Sequence, residues 1–197
     1  MLSSIETWCG GIILCGGESR RMGQPKAWLD IQGQPLLTRL VNRLRELVAP
    51  VVVVAAPGQT LPEIGPTPVV YDTQLGRGPL EGLAVGLAAL QQQVPWAWVL
   101  ATDMPHLGAP ILQRLWPLRQ GVEIVLPVVA GWRQPWAGLY QTALAPRVRQ
   151  QLESGETRPR LLWERCEVRE CVFDPEEDPQ AWQNLNTPED YARWQRQ

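Results

Sequence analysis

A chain of 197 residues with 45% hydrophobic and 19% charged residues has the composition of a globular protein, which excludes a disordered one. The formal net charge of −2 gives no support for nucleic acid or an anionic membrane as a partner, so any anionic ligand must be held by charge that is concentrated locally. A length of this order fits a single domain over residues 1–197.

The cysteine spacing does not indicate a zinc site, and the N-terminal residues do not indicate a secretory signal. Cys166 and Cys171 stand five residues apart with no histidine near them, which is not the spacing of a zinc site. No apolar run approaches the roughly 18 residues of a membrane span, and the N-terminus lacks a basic region followed by a long apolar segment. We therefore expect a reduced, cytoplasmic protein without a membrane partner.

The first predicted strand, residues 12–14, leads into the segment with the strongest functional signal. Its apolar, β-branched run is typical of a buried strand and ends at Gly16-Gly17. Adjacent glycines let backbone N–H groups approach a ligand that a Cβ atom would hold away. The cations that follow are Arg20, Arg21 and Lys26. A polyphosphate needs donors and positive charge together, so the segment predicts a phosphate-binding loop; the alternative is a tight turn beside a solvated basic face.

Two familiar phosphate loops are excluded. A Walker A loop ends in Gly-Lys-Ser or Gly-Lys-Thr, whereas Lys26 stands between Pro25 and Ala27. The dinucleotide fingerprint places its glycines after a strand, and Gly10-Gly11 precede the predicted strand.

The rest of the chain alternates between strand and helix patterns. Residues 27–32 are predicted to be a short strand or an extended link. Predicted helices cover about 35–48, 79–92, 108–117, 142–153 and 158–164, and a last helix begins near Thr187-Pro188. Predicted strands cover 51–56, 69–71, 96–101, 122–128, 137–140 and 167–173. This alternation predicts an α/β fold with a largely parallel central sheet and helices on both faces.

Three of the predicted strands end at candidate ligand-binding residues. Ligands of parallel sheets bind outside the carboxyl ends of the strands, which brings Leu14–Gly17, Asp72 and Asp103 to one crevice. Asp103 is placed where a Mg²⁺-bridging carboxylate is expected, because Mg²⁺ takes few protein ligands and completes its shell with phosphate oxygens and water. The alternative is that Asp103 caps the next turn.

Further candidates lie in the later loops. Gly76 and Gly78 allow the backbone to approach a base or a sugar, and Arg77 is within reach of a phosphate. His106 is predicted to be a packing or loop residue, because metal-assisted phosphoryl chemistry needs positioning and charge neutralisation more than a side-chain base.

The C-terminal part offers candidates for binding a second substrate. Asn184 and Asn186 either form turns or line an acceptor pocket together, since alternate positions of an extended segment face the same side. Arg158 and Arg160 either hold the acceptor's phosphate or only decorate the start of a helix.

Four segments carry a resemblance to a known family. They are Leu14–Lys26, Tyr71–Gly82 with G-P-L-x-G, Thr102–Leu107 with T-D-x-P-x-L, and Asn184–Asp190. The first resembles the nucleotidyltransferase loop that reads roughly L-A-G-G/A-x-S-x-R-M-G-x-x-K, and the chain is most similar to molybdenum cofactor guanylyltransferases. The resemblance implies a Rossmann-like nucleotidyltransferase fold and transfer of GMP from GTP to molybdopterin or its molybdenum form, with release of pyrophosphate. It further implies Mg²⁺ as cofactor and delivery of the product to molybdoenzymes or their chaperones.

The resemblance also assigns residues. On the nucleotide side they are Leu14, Cys15, Gly16, Gly17, Lys26, Asp72 and Asp103, and the glycine-rich loop adds Gly78. Asp103 would ligate Mg²⁺, and it would act with Arg21, Lys26 and the loop amides to neutralise the charge that develops on the phosphates. On the acceptor side they are Asn184 and Asn186, to which we add Arg158.

Three departures from the family pattern keep related activities open. Cys15 replaces an alanine, Pro25 stands where an aspartate usually precedes the lysine, and Val54 stands where an asparagine often reads the nucleotide. The alternatives are a cytidylyltransferase on the same cofactor and a sugar-1-phosphate nucleotidyltransferase, although the glycine pair favours guanine by resemblance. A nucleotide-binding regulatory module without turnover is disfavoured by the presence of Arg21, Lys26 and Asp103.

Overall fold

Residues 5, 7–17, 22–74 and 76–196 are described by the computed structural model. Its strands are β1 Cys9–Leu14, β2 Asp30–Ile31, β3 Gln34–Pro35, β4 Val51–Ala55, β5 Val69–Tyr71, β6 Trp96–Ala101, β7 Ile124–Val129, β8 Trp132–Arg133, β9 Leu139–Gln141 and β10 Val168–Phe173. Its helices are α1 Leu36–Arg45, α2 Pro79–Leu90, α3 Ala109–Leu115, α4 Ala145–Glu153, α5 Pro159–Trp163 and α6 Pro188–Trp194.

The main sheet has eight strands in the order β10-β7-β9-β6-β1-β4-β5, with β8 paired to β7. β1 runs parallel to both β4 and β6, β4 to β5, and β7 to β10. Only β8 and β9 run antiparallel to their neighbours in this sheet. The predicted α/β fold with a largely parallel sheet is therefore confirmed.

Helices cover both faces of the sheet. Side chains alternate along β1, so that Ile13 joins a core that contains Leu37 of α1, while Ile12 joins a core that contains Leu83 of α2. Within the described part of the chain, no helix is long and apolar enough to cross a bilayer.

Strand β1 begins at Cys9, earlier than the predicted start at residue 12. The apolar pattern missed its first half because that half contains Gly10 and Gly11. A Cβ atom on Gly10 would lie 2.8 Å from Leu90 Cδ1, and one on Gly11 would lie 2.5 Å from Leu44 Cδ2. Gly10 and Gly11 thus let α2 and α1 pack closely on the strand. The prediction that they precede the strand was wrong, but they still do not follow it, so the dinucleotide fingerprint stays excluded.

Two other segments differ from the sequence prediction. Residues 27–32 fold as a 3-10 helix, Lys26–Trp28, followed by β2, which pairs with β3. Ala130 and Gly131 both have positive φ and join β7 to β8 as a two-residue hairpin, whereas no strand was predicted at 132–133. Short-range hairpins and 3-10 turns leave little periodicity for a sequence pattern to detect.

Candidate active site

A cavity of about 350 Å³ opens where the predicted strand ends meet. It is lined by Leu14–Gly17 after β1, Lys26, Pro79 at the start of α2, Ala101–Asp103 at the end of β6, Trp136 and Asn186. Because β1 and β6 are parallel neighbours, their carboxyl ends coincide, and the backbone N–H of Thr102 donates to the carbonyl of Leu14 at 3.2 Å. Separate segments of the chain therefore face one space.

Lys26, Asp103 and Asn186 form a polar cluster at this cavity. The Lys26 Nζ donates to Asn186 Oδ1 at 2.8 Å and lies 3.8 Å from Asp103 Oδ2. The backbone N–H of Leu185 donates to the carbonyl of Asp103 at 2.8 Å, which ties the C-terminal segment to the loop after β6. The Lys26 and Asp103 side chains keep 16% and 30% of their surface exposed, so water and ligands still reach both groups.

The donor set at the cavity suits Mg²⁺ better than a metal that needs a protein cage. Asp103 is the carboxylate among the lining residues, and the described residues contain no cluster of three or more His, Cys, Asp or Glu side chains that could hold an ion. Mg²⁺ is commonly bound by one or two carboxylates together with substrate phosphates and water, so one carboxylate beside a phosphate loop fits this ion.

Gln59 fixes the loop after β1, a role that sequence reasoning missed. Its Nε2 donates to the Cys15 carbonyl at 3.1 Å, while its Oε1 accepts from the Ala56 N–H at 3.0 Å. The Cys15 N–H in turn donates to the Val54 carbonyl at 2.8 Å. Burial raises the pKa of the Cys15 thiol to about 12, so Cys15 contributes a neutral side chain to the cavity wall.

The two glycines of the loop are required for different reasons. A Cβ atom on Gly16 would lie 3.1 Å from Asp72 Oδ2, so the absence of a side chain makes room for that carboxylate. Gly17 has φ +138°, a backbone conformation that other residues rarely adopt. Both glycines line the cavity, but the space beside Gly16 is filled by Asp72.

Asp72 lies behind the loop and is not among the residues that line the cavity. Its Oδ1 is buried and has no hydrogen-bond partner among the described residues. Burial raises the pKa of Asp72 to about 6, the negative charge of Glu81 adds to this effect, and Arg149 opposes it. Direct contact between Asp72 and a nucleotide stays a prediction.

The glycine-rich loop before α2 reaches the cavity through its last residues. Gly78 precedes α2 with φ +69°, and the adjacent Pro79 lines the cavity. The guanidinium of Arg77 instead donates to the carbonyl of Leu152 at the end of α4, so it does not take the phosphate-binding orientation that we considered.

The proposed acceptor residues are only partly brought together. Asn186 lines the main cavity, whereas Asn184 lines a smaller cavity with Arg193. The Arg158 side chain is exposed and pairs with Glu156 at 2.8 Å, and it is not among the residues that line the main cavity.

Arg21, predicted to be catalytic, lies outside the described residues, as does Arg20. Trp136 lines the cavity from a 3-10 helix at Pro135–Ala137, in a stretch whose irregular pattern gave no signal for a site. His106 contacts Trp194, with ring centroids 5.8 Å apart, and is absent from the lining of this cavity.

Comparisons with known proteins identify the family of the chain. The model of the family described as MobA-like NTP transferase domain matches residues 11–168. A Mycobacterium tuberculosis protein named probable molybdenum cofactor guanylyltransferase is 38% identical over 169 residues, which cover 83% of each protein. A Bacillus cytotoxicus protein of the same name is 28% identical over 188 residues, covering 92% of this chain and 94% of that protein.

The fold has close structural counterparts as well. The crystal structure of molybdopterin-guanine dinucleotide biosynthesis protein A from Archaeoglobus fulgidus aligns with a TM-score of 0.75 and 21% identity. The alignment covers 93% of this chain and 95% of that chain. At this level of identity, the likeness supports the nucleotidyltransferase fold alone.

Proposed function

The chain belongs to the MobA-like NTP transferase family and is a nucleotidyltransferase, and from this premise we propose that it transfers GMP from GTP to molybdopterin, or to its molybdenum form, with release of pyrophosphate. One observation carries the proposal: the loop after β1, Lys26, Asp103 and Asn186 come from distant parts of the chain and line one cavity. The cavity volume of about 350 Å³ lies within the range of small-molecule sites.

The nucleotide phosphates would bind between the glycine loop and Lys26. Gly16 and Gly17 line the cavity and have no side chains that would keep phosphates away from their backbone amides. Lys26 supplies a positive charge, and its Nζ donates to Asn186 Oδ1 at 2.8 Å. Arg21, which follows the same loop, is proposed to add a second cation. Local charge of this kind is needed because the whole chain carries a net charge of −2.

The reaction is an in-line displacement at the α-phosphorus. A phosphate oxygen of the acceptor forms the new P–O bond, the bond between the α-phosphorus and the bridging oxygen breaks, and pyrophosphate leaves with the electron pair. Lys26 and the loop amides stabilise the negative charge that develops on the phosphates. Mg²⁺ held by Asp103 would supply Lewis-acid neutralisation of that charge. The acceptor would approach from the side of Asn186.

The position where an asparagine often reads the nucleotide in the family is Val54 in this chain. The Val54 side chain is buried in the core under α2, 3.5 Å from where a Cβ on Gly82 would stand, so it cannot read a base edge. The preference for GTP therefore rests on the relatives whose names specify guanylyl transfer.

A substrate panel tests the proposal. The purified protein is mixed with Mg²⁺, molybdopterin and GTP, CTP, ATP or UTP, and pyrophosphate release is measured. We expect the highest kcat/KM with GTP and no release without the acceptor. A preference for CTP would assign the chain to the sibling reaction with the same chemistry, and an absence of release with all four nucleotides would contradict nucleotidyl transfer. Delivery of the product to molybdoenzymes or their chaperones is part of the same proposal.

A further inference from the structure

Helix α2 buries a carboxylate in its first turn. Glu81 keeps only 1% of its surface exposed, and it accepts hydrogen bonds from Thr73 Oγ1 at 2.6 Å and from the Thr73 N–H at 3.1 Å. Arg149 Nη1 donates to both of its oxygens, at 2.9 and 3.0 Å. Burial alone would raise the pKa of Glu81, but the hydrogen bonds from Thr73 and Arg149 lower it, so the group stays ionised at neutral pH.

This network fastens the loop between β5 and α2 at both of its ends. Thr73 is the second residue of the loop, Glu81 lies just after it in α2, and Arg149 reaches both residues from α4. The loop contains Gly76 and Gly78, both with positive φ, and therefore depends on outside contacts for a fixed shape.

Both ends of this loop adjoin the proposed nucleotide site. Thr73 directly follows Asp72, whose Oδ2 fills the space beside Gly16, and Pro79 at the other end lines the cavity. A shift of the loop would therefore move a wall of the cavity and the carboxylate beside Gly16 together.

We propose that Glu81 and Arg149 are positioning residues, which act through Thr73 to hold residues 72–74 and 76–79 in the conformation that binds the nucleotide. The inference rests on the proposed function. Neither side chain lines the cavity, so their contribution is to the geometry of binding and not to the chemical step. The buried Glu81 carboxylate and the half-buried Arg149 fix one arrangement of the segments they join, because a buried carboxylate left without its partner would cost more than the pair itself.

The chain provides a matched control on the same helix. Arg147 of α4 pairs with Glu123 at 2.9 Å, and Glu123 also accepts from the Glu167 N–H at 3.0 Å. That pair joins α4 to the starts of β7 and β10, and neither partner lines the cavity. Loss of the Arg147 pair should cost stability without changing the loop before α2.

Steady-state kinetics with GTP and molybdopterin test the proposal. We expect Thr73→Val and Arg149→Met to raise the KM for GTP about tenfold, the scale of one lost hydrogen bond to a charged group, with kcat within about twofold. Thr73→Ser retains the hydroxyl and should restore the wild-type KM. Arg147→Met should lower Tm and leave this KM unchanged. An unchanged KM in both Thr73→Val and Arg149→Met would overturn the proposal, and Thr73→Val decides it alone if Arg149→Met does not fold.

A second measurement needs no turnover. Hydrogen–deuterium exchange of the ligand-free protein should be faster over residues 73–78 in Arg149→Met and Thr73→Val than in the wild type and Arg147→Met. Equal exchange in all four proteins would contradict a positioning role. If the wild type releases no pyrophosphate with any nucleotide, the proposed function fails, while the exchange data still report on the network.

Discussion

At the residue scale, Asp103 carries the largest expected effect on activity. Asp103→Asn keeps the shape and removes the charge, and a neutral amide is a much poorer ligand for a hard cation. We expect turnover to fall by roughly 10²–10⁴. Tm should barely move, because the carboxylate is 30% exposed and its ion pair with Lys26 spans 3.8 Å. Pyrophosphate release and thermal unfolding on one preparation measure both quantities.

Asp178 provides a control whose replacement should affect stability and not turnover. Its Oδ1 accepts from the Ala181 N–H at 3.1 Å, so it acts as a backbone cap in an exposed loop. Asp178→Ala should lower Tm slightly and leave turnover unchanged. If Asp103→Asn behaved in this way, Asp103 would be a cap and its assignment to the metal would be wrong.

Asp72 predicts a pH dependence of stability. Burial raises its pKa from 3.8 to about 6, so the folded state binds a proton more tightly than the unfolded state does. The free energy of unfolding contributed by this group therefore falls as pH rises from about 4 to about 6. Asp72→Asn removes the penalty and should be more stable than the wild type at pH 7, with the difference shrinking as pH falls from about 6 to about 4 and lost below that. Thermal melts across this range provide the measurement, and a variant that is less stable at pH 7 would contradict the account.

At the element scale, the start of α6 controls the position of Asn186. Thr187 Oγ1 accepts from the Asp190 N–H at 3.2 Å, and Asp190 Oδ2 accepts from the N–H groups of Thr187 and Asn186 at 2.9 and 3.0 Å. These hydrogen bonds, led by the one from Asn186, hold the pKa of Asp190 below its usual range. Their contribution to stability is present above the ordinary pKa of an aspartate and is lost as pH falls through the lowered one.

Replacement of Asp190 should therefore affect both stability and the acceptor site. Asp190→Ala should cost about 1 kcal/mol, or a Tm decrease of about 2–4 °C, and raise the KM for molybdopterin, because Asn186 loses its backbone anchor. Glu189→Ala changes the neighbouring charge in the same turn and serves as the control, with a smaller change in Tm and an unchanged KM. Equal KM values for wild type and Asp190→Ala would show that α6 does not position the acceptor site.

Long elements that repeat a hydrophobic pattern over several turns were predictable from sequence, whereas short hairpins were not. The helix pattern at 35–48 corresponds to α1, which ends earlier at Arg45, and the Thr187-Pro188 signal marks the start of α6, with a capping box. The hairpin β7–β8 was missed, because its turn is Ala130-Gly131 and not the Asn-Gly or Asp-Gly pair that marks such turns.

At the scale of the whole molecule, the parallel topology made the strand-end residues of the site predictable. Ligand sites at the carboxyl ends of strands follow from the fold, so the approach of Leu14–Gly17 to Asp103 could be anticipated. The contact of Lys26 with Asn186 joins residues 160 positions apart, and local patterns carry no information about such a pair. Alternate spacing likewise predicted that Asn184 and Asn186 line one pocket. In the structure they line different cavities, which the local pattern could not indicate.

Transfer of a nucleoside monophosphate at this cavity is tested most directly by following the fate of each phosphate of GTP. GTP labelled at the α-phosphorus or at the γ-phosphorus is incubated with the protein, Mg²⁺ and molybdopterin, and the products are separated. We expect the α-label to appear in the molybdopterin product in equal amount to the pyrophosphate released, and the γ-label to appear only in pyrophosphate. Transfer of the γ-label to molybdopterin, or release of the α-label as free GMP or GDP without a labelled product, would contradict it.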